Sequence, residues 1–449
     1  MRDIHAEYGD LCDIYFGSRR FILVSDKNIA QRILKPTIDG PFHNRFKVDI
    51  KDFKELGVID HGVLANESYS DWSYHRRFLN KALMAPQFIK QAVKVVHDNF
   101  LEMSKYWDKL GEDRILEFNH WMKRYFMDTV FITAVSRPAC SLVCYYNEVD
   151  PDNELNVPKS VLKEANIFLQ SIDALVQSLI YFISIPKIIR NFPGINKYTQ
   201  YIKGRINWLK NNIDDIIKSR REEIFKMPID QKLIPDILIM FLTANTERDI
   251  TEQIVDDLHD KPMSDKDVQS NLLAVLSGGI NSSANTMCFL VYYLENYPEV
   301  KQKMMEEIER VIGKDPDSSF TFESLSKLEY TEAIIKEESR LKASCPNIAR
   351  VNSVPEDVGG YKWSKETNFL INIEGIHHHK SYWKDPHIFN PSRFLKDPES
   401  ERLNYMFGGG MRKCPGRNLA MMELKATLVM LYRKYDIELM GPLKENIKT

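Results

Sequence analysis

A single cysteine, Cys414, lies in the stretch "YMFGGGMRKCPGRNLAMMELKATLVMLYRKY", behind three glycines, beside Arg412, Lys413 and Arg417, and ahead of an apolar helical run. A lone cysteine is most often a small buried hydrophobe. A zinc site needs several ligands at close spacing, and no second Cys or His stands near this one. The surroundings favour an anionic sulfur. Pro415 suits the first position of a helix, where its missing N–H costs nothing, so the spacing predicts a helix beginning there with Cys414 at its positive end. That position lowers a thiol's pKa and stabilises the thiolate. Gly408 and Gly410 permit backbone angles that other residues resist, so successive N–H groups can point at the sulfur. Such a thiolate serves as a nucleophile or as the ligand of a highly charged metal, and both chemistries stay open on these residues alone.

Other patterns carry chemistry only in combination. Glu337 and Arg340 in "KEESRL" are three apart on a helix and can pair; an ordinary surface pair of this kind is worth under about 1 kcal/mol. Trp72 and Arg76 in "DWSYHRRFLNKAL" stand one turn apart on a basic amphipathic helix, with His75 between them read either as assisting them or as solvated. In "LLAVLSGGINSSANTMCFLVYYLENYPEV", Gly278 and Gly279 allow something to approach the backbone, while Asn281 and Ser282 bond locally and open the helix. His377, His378 and His379 are adjacent, yet neighbouring residues of an extended chain point apart, so the tract is compositional evidence at most for metal binding.

The chain that must position these residues has 449 of them, 43% hydrophobic and 28% charged, with a formal charge of -2 and six cysteines. That balance is globular, gives no sign of a nucleic-acid surface, and is too cysteine-poor for a disulfide framework, which points to a reducing compartment. No secretory signal opens the chain, and apolar runs break off short of the roughly 18–20 residues of a membrane span. The protein is expected to be soluble or to rest on a membrane surface. "CDIYF" and "RFILVSD" flank a Gly-Ser turn and read as a hairpin. From about residue 71 to 345 the apolar residues recur at helical spacing. Strand-like segments return near "EDVGGYKWSKETNFLIN". The reading is one domain over 1–449, mainly α, with a small β part from about 10–35 and 350–375.

In combination the patterns become recognisable. Phe407-x-x-Gly410-x-Arg412-x-Cys414-x-Gly416 resembles the haem-ligand loop of the cytochrome P450 superfamily, whose cysteine thiolate is the axial ligand of haem iron and promotes O–O cleavage. The resemblance extends from Glu7 to the C-terminus, in five motifs of the right order. It implies that Glu337, Arg340 and Arg393 of "DPHIFNPSRF" form a structural triad. It implies that Trp72, Arg76, Arg350 and Arg412 hold the propionates of haem b, where charge-assisted bonds are strong. Phe407, Gly408, Gly416 and Gly279 would line the cofactor. Asn281 and Ser282 take the places of the acid and threonine beside dioxygen. Serine keeps a hydroxyl, whereas Asn281 cannot ionise, so protons must come through Ser282 and waters or by another route. "KET" (365–367) replaces a turn that usually holds Gly.

The resemblance implies a monooxygenase that takes electrons from an NADPH-dependent reductase and inserts one atom of O2 into a hydrophobic molecule of sterol, fatty acid or terpenoid class. It implies a monomer at the cytosolic face of the endoplasmic reticulum, although the anchor and Pro-rich hinge of microsomal members do not precede "EYGDLCDIYFG". The donor would dock on Arg76, Arg77, Lys81, Lys413, Arg417 and Lys425. The pocket walls are expected near residues 40–70, 165–195, 270–282, 343–350 and Met440. Residues 179–195, apolar and basic, would dip into the membrane or form plain core helix and loop. Asn281 also motivates a reductase-independent isomerase or dehydratase acting on a hydroperoxide, and a non-catalytic haem-binding protein is a third reading.

Overall fold

The computed structural model describes residues 2–17, 19–35, 37, 40–45, 56, 62–64, 66, 68–249, 261–315 and 319–441. Ser18 of the expected Gly-Ser turn, and most of the pocket wall expected at 40–70, lie outside the described residues.

The organising element is a helix of 32 residues, Asp265–Asn296. Ser264 starts it with a reciprocal capping box to Asp267, which satisfies N–H groups that a helix start otherwise leaves orphaned. Its first half, from Val268 to Ile280, lies in one apolar core with helices Lys159–Ser184 and Pro193–Lys226. Its second half, from Ala284 to Leu294, lies in another core with helices Pro86–Leu110 and Arg417–Lys434. Helix Phe118–Val135 contributes to both cores and packs directly on the central helix. The reason is local: a Cβ on Gly279 would come within 2.9 Å of Val130 Cγ2. Glycine therefore permits close helix packing here.

The small sheet joins the two ends of the chain. Strands β1 (Leu11–Phe16), β2 (Arg19–Val24), β3 (Asn347–Val351) and β6 (Asn368–Asn372) lie in the order β1-β2-β6-β3. Strands β4 (Glu356–Val358) and β5 (Tyr361–Trp363) form a separate ribbon. β2 and β6 are parallel neighbours and are buried on both faces from Phe21 to Val24 and from Phe369 to Ile371. That accounts for their continuous apolar runs. The mainly α class with a small β part is the one expected. In the turn 365–367, Glu366 takes φ 68, a left-handed conformation that costs an L-residue about 1–2 kcal/mol.

Among the described residues one helix, Lys159–Ser184, is long and apolar enough to cross a membrane by length and composition. Sequence reading placed no run of that length there. In the fold its Ala165, Phe168, Ile172, Leu175 and Phe182 are buried, and it packs along Pro193–Lys226.

Candidate functional site

The Cys414 loop is shaped by contacts that exclude side chains. Gly408 and Gly410 both take φ 72, and a Cβ on Gly410 would fall 2.4 Å from the Leu34 carbonyl oxygen. Gly408 N–H donates to Tyr405 O at 2.8 Å, and Cys414 N–H donates to Phe407 O at 2.8 Å. The helix behind the loop begins at Arg417 with Gly416 as its N-cap. Pro415 is therefore not its first residue; Pro415 and Gly416 make a turn, and Cys414 stands two residues ahead of the cap. The electrostatics differ accordingly from the expectation. Burial pushes the Cys414 thiol up, opposed by the Gly416 N–H and by the positive charges of Arg76, Arg417 and Arg45. The cationic surroundings are present, but they do not by themselves make a thiolate.

Beside the loop four arginines converge. Arg412, buried, lies 4.1 Å from the Trp72 ring centroid and donates to His43 O at 3.2 Å and Asn66 O at 3.0 Å. Arg350, on β3, donates to Ala349 O at 2.8 Å and Gly409 O at 3.2 Å. Arg76 donates to Lys413 O, and Arg45, which sequence reading did not single out, donates to Leu64 O. Burial first, then mutual repulsion, brings Arg350 and Arg412 down to about 9. Burial likewise brings Arg76 down to about 10, with Arg417 and Arg45 lowering it further while Cys414 opposes them.

Among the described residues no carboxylate pairs with any of the four. Trp72 Nε1, Arg76 Nε and Arg412 Nη1 are buried without a hydrogen-bond partner. A cavity lined by Leu34, His43, Arg350, Gly410 and Arg412 opens at this place. Buried cations are retained only where they are paired. A cluster of orphaned donors next to a half-buried thiol therefore has the chemistry of a site for a group that carries carboxylates on one side and a metal at its centre. Haem, with its two propionates, fits it.

On the central helix Gly278 and Ser282 stand four apart on an exposed face, and no atom lies within 4 Å of a Cβ placed on Gly278. Ser282 Oγ donates to Gly278 O at 2.6 Å. Asn285, one turn on, is exposed on the same face and was not singled out. Asn281 turns away from this face: its Nδ2 donates to Asp173 Oδ1 at 3.3 Å.

Behind the loop, Glu337 and Arg340 form a two-pronged pair at 2.7 and 2.9 Å with both side chains 0% exposed. Arg393 Nε donates to the same carboxylate at 3.0 Å. Arg340 also donates to the carbonyls of His377 and Pro386, each at 2.7 Å. His377 Nε2 in turn accepts the Tyr405 N–H at 3.1 Å, which tethers the triad to the first residue of the Cys414 loop. Burial brings His377 down to about 3, so it is neutral and able to accept.

The remaining histidines are likewise structural in their contacts. His378 Nδ1 lies 2.9 Å from Glu374 O and His379 Nε2 lies 3.2 Å from Asp10. Among the described residues no group of three metal-binding side chains occurs. Of the two readings of His75 the solvated one is overturned: the ring is wholly buried, with Asn271 Nδ2 2.9 Å from its Nδ1 and Asp71 and Asp267 3.7 and 3.6 Å from its Nε2. Lys425, expected on a docking face, is buried and pairs with Glu332. The segment 179–195 does present apolar surface, with Ile180 72%, Ile188 76% and Phe192 61% exposed.

A family model described as cytochrome P450 matches residues 1–448. The chain is 28% identical to "Cytochrome P450 4A2" of Rattus norvegicus over 87% of this chain and 72% of that one. It is 24% identical to "Cytochrome P450 3A9" of the same organism over 98% of this chain and 81% of that one. Its fold resembles the crystal structure of cytochrome P450DA heme domain with a TM-score of 0.73 at 20% identity, covering 94% of this chain and 82% of that one.

Proposed function

The chain belongs to the cytochrome P450 family, a haem-binding monooxygenase, and on that premise we propose that Cys414 is the axial ligand of haem b and that the protein oxidises a hydrophobic small molecule. The observation that carries this reading is the half-buried thiol flanked by buried arginines that lack carboxylate partners. Bound there, the haem would supply dioxygen activation, with the thiolate favouring O–O cleavage. Trp72, Arg76, Arg350 and Arg412 would hold the propionates, and Arg45 joins them. Gly410 keeps the loop backbone close to Leu34, and with Gly408 in the same left-handed conformation it would fix the sulfur's position. The Gly416 N–H bonds the sulfur and tempers its donation. Ser282 places a hydroxyl on the open face of the central helix, where it can hold and pass a proton.

The segments expected to wall the pocket are apolar with scattered polar groups in the sequence, which suits sterols, fatty acids or terpenoids alike. An electron donor of the NADPH-dependent reductase type would meet exposed Lys413 with Arg77, Lys81 and Arg417; Lys425 leaves that set because it is buried. The exposed Ile180, Ile188 and Phe192 suit contact with a membrane surface, such as the cytosolic face of the endoplasmic reticulum. The test is a ferric spectral titration against a panel of lipids, followed by product analysis with a generic reductase. Product that requires NADPH, reductase and O2 is expected. Turnover of a hydroperoxide without them would replace this reading by an isomerase or dehydratase.

A second experiment addresses the arginines. Arg412→Leu is expected to weaken haem retention roughly 10–100-fold, the equivalent of one charged hydrogen bond of about 1.5–3 kcal/mol. Haem transfer to an acceptor globin measures it. Unchanged retention would remove Arg412 from the site.

A further inference from the structure

At position 281 the central helix carries an amide where proton supply to dioxygen asks for an ionisable group. The structure shows what the amide does instead. Asn281 Nδ2 donates to Asp173 Oδ1 at 3.3 Å, and Asp173 Oδ2 accepts from Lys123 Nζ at 2.6 Å. The three residues come from three helices, Asp265–Asn296, Lys159–Ser184 and Phe118–Val135, and they meet at the residue that precedes Ser282 on the central helix. The side chains of Asp173 and Lys123 are 30% and 26% exposed, so the carboxylate is half-buried and in contact with solvent.

We propose that Asp173 is the proton-supply residue of this enzyme, taking over from a neighbouring helix the function that Asn281 cannot perform. This rests on the haem-thiolate reading above. Each turnover consumes O2, two electrons from the external donor and two protons, and leaves one oxygen atom in the product and one in water. The two protons come from solvent. Asp173 in its acid form releases one to a water near Asn281, and Ser282 passes its own hydroxyl proton toward the reacting oxygen and takes this one in replacement. The carboxylate that remains is reloaded from solvent, and the second proton follows the same path. Lys123 fixes one oxygen of the carboxylate, and Asn281 aims the other toward the central helix. Asn281 acts by orientation and neither gains nor loses charge. Asp173 acts through other groups, so it is a positioning and proton-supply residue rather than one that touches the reacting atoms.

The experiment uses the holoenzyme with its reductase. Asp173→Asn keeps the volume and, because Asn281 can still bond an amide oxygen, is expected to fold and to keep the carbonyl and substrate-induced spectra of the parent. Product formed per NADPH should fall about 100-fold, the low end of what a positioned proton donor contributes, with hydrogen peroxide released in its place. Asn281→Asp added to Asp173→Asn should restore coupling, because the carboxylate then stands next to Ser282. A purely structural role for Asp173 would not be rescued this way, since the Lys123 pair stays broken. In the haem-free protein, the carboxylate stretch isolated by subtracting the Asp173→Asn infrared spectrum should shift when Asn281 becomes Leu. Parental coupling in Asp173→Asn, no rescue by Asn281→Asp, or an unmoved stretch would each overturn the proposal. Failure of the unsubstituted protein to give a thiolate-type carbonyl spectrum would overturn the reading beneath it instead.

Discussion

Cys414→Ser should yield a folded chain with no thiolate-type carbonyl spectrum and with turnover reduced by more than about 100-fold, since changes even one shell outside a metal's ligands cost roughly 10–100-fold. The substitution is nearly isosteric, and the loop does not depend on the sulfur for its shape. Its turn is set by Gly408 and Gly410 at φ 72, by the contact of Gly410 with Leu34, and by the Cys414 N–H bond to Phe407 O. None of these involves the side chain at 414. What changes is the donor. A thiol can lose its proton here because Gly416 N–H, Arg76, Arg417 and Arg45 all favour the anion and metal coordination adds to them, whereas a serine hydroxyl ionises far less readily. The arginines would still attract the propionates, so haem is expected to be retained with a different ligand or none. Far-ultraviolet circular dichroism close to the parent, together with a shifted carbonyl band, is the expected pair of results. An unchanged band would place the iron elsewhere.

Linear motifs were legible because one element carries all their parts. The glycine-rich loop, Glu337 with Arg340, and Trp72 with Arg76 each lie within a turn or two of chain, and their spacing already states which side chains can meet. Residues that join a site from a distance left no such mark. Asp173 is 108 residues from Asn281, Arg45 belongs to no periodic segment, and His377 earns its place only because the fold brings its ring to Tyr405 N–H.

Three positions share another feature: a residue type that serves two purposes. A glycine pair in a helix admits either a ligand or a neighbouring helix, and Val130 shows that Gly279 admits the helix. A proline can open a helix or a turn, and Pro415 opens a turn. A lysine in a C-terminal helix is usually solvated, but the run Met422–Tyr432 is buried all round, so Lys425 reaches Glu332 inside. The β part starts within a few residues of the expected 10 and 350 because its strands are apolar and short, but the first segment ends at Val24, where the helix Lys27–Ile33 takes over well before 35, and the pairing of β2 with β6 was beyond any local signal.

Glu337→Ala should have the opposite phenotype to Cys414→Ser: loss of the fold rather than of the chemistry. Glu337 is 0% exposed and receives bonds from Arg340, Arg393 and the Asn390 N–H. Removing it leaves two guanidinium groups in the interior with no carboxylate. Breaking a buried pair from one side costs about 3–5 kcal/mol, a large part of the roughly 5–15 kcal/mol that holds a domain together. The damage also has a direction. Arg340 ties Glu337 to the carbonyls of His377 and Pro386, and His377 holds Tyr405 at the head of the Cys414 loop. The loop should therefore lose its anchor before the distant helical cores do.

The expected outcome is little soluble haem-containing protein at 25 °C, with any recovered material melting well below the parent. Arg340→Lys should do nearly as badly, because an ammonium cannot present the planar fork that reaches one carboxylate and two carbonyls at once. Replacing both partners, Glu337→Leu with Arg340→Met, should be milder than Glu337→Ala, since it removes the buried charges together and leaves only Arg393, at 10% exposure, to find water. If the double variant instead proves as unstable as the single one, the tether through His377 outweighs the unpaired charge, and the triad matters chiefly as the clamp that keeps the sulfur in place.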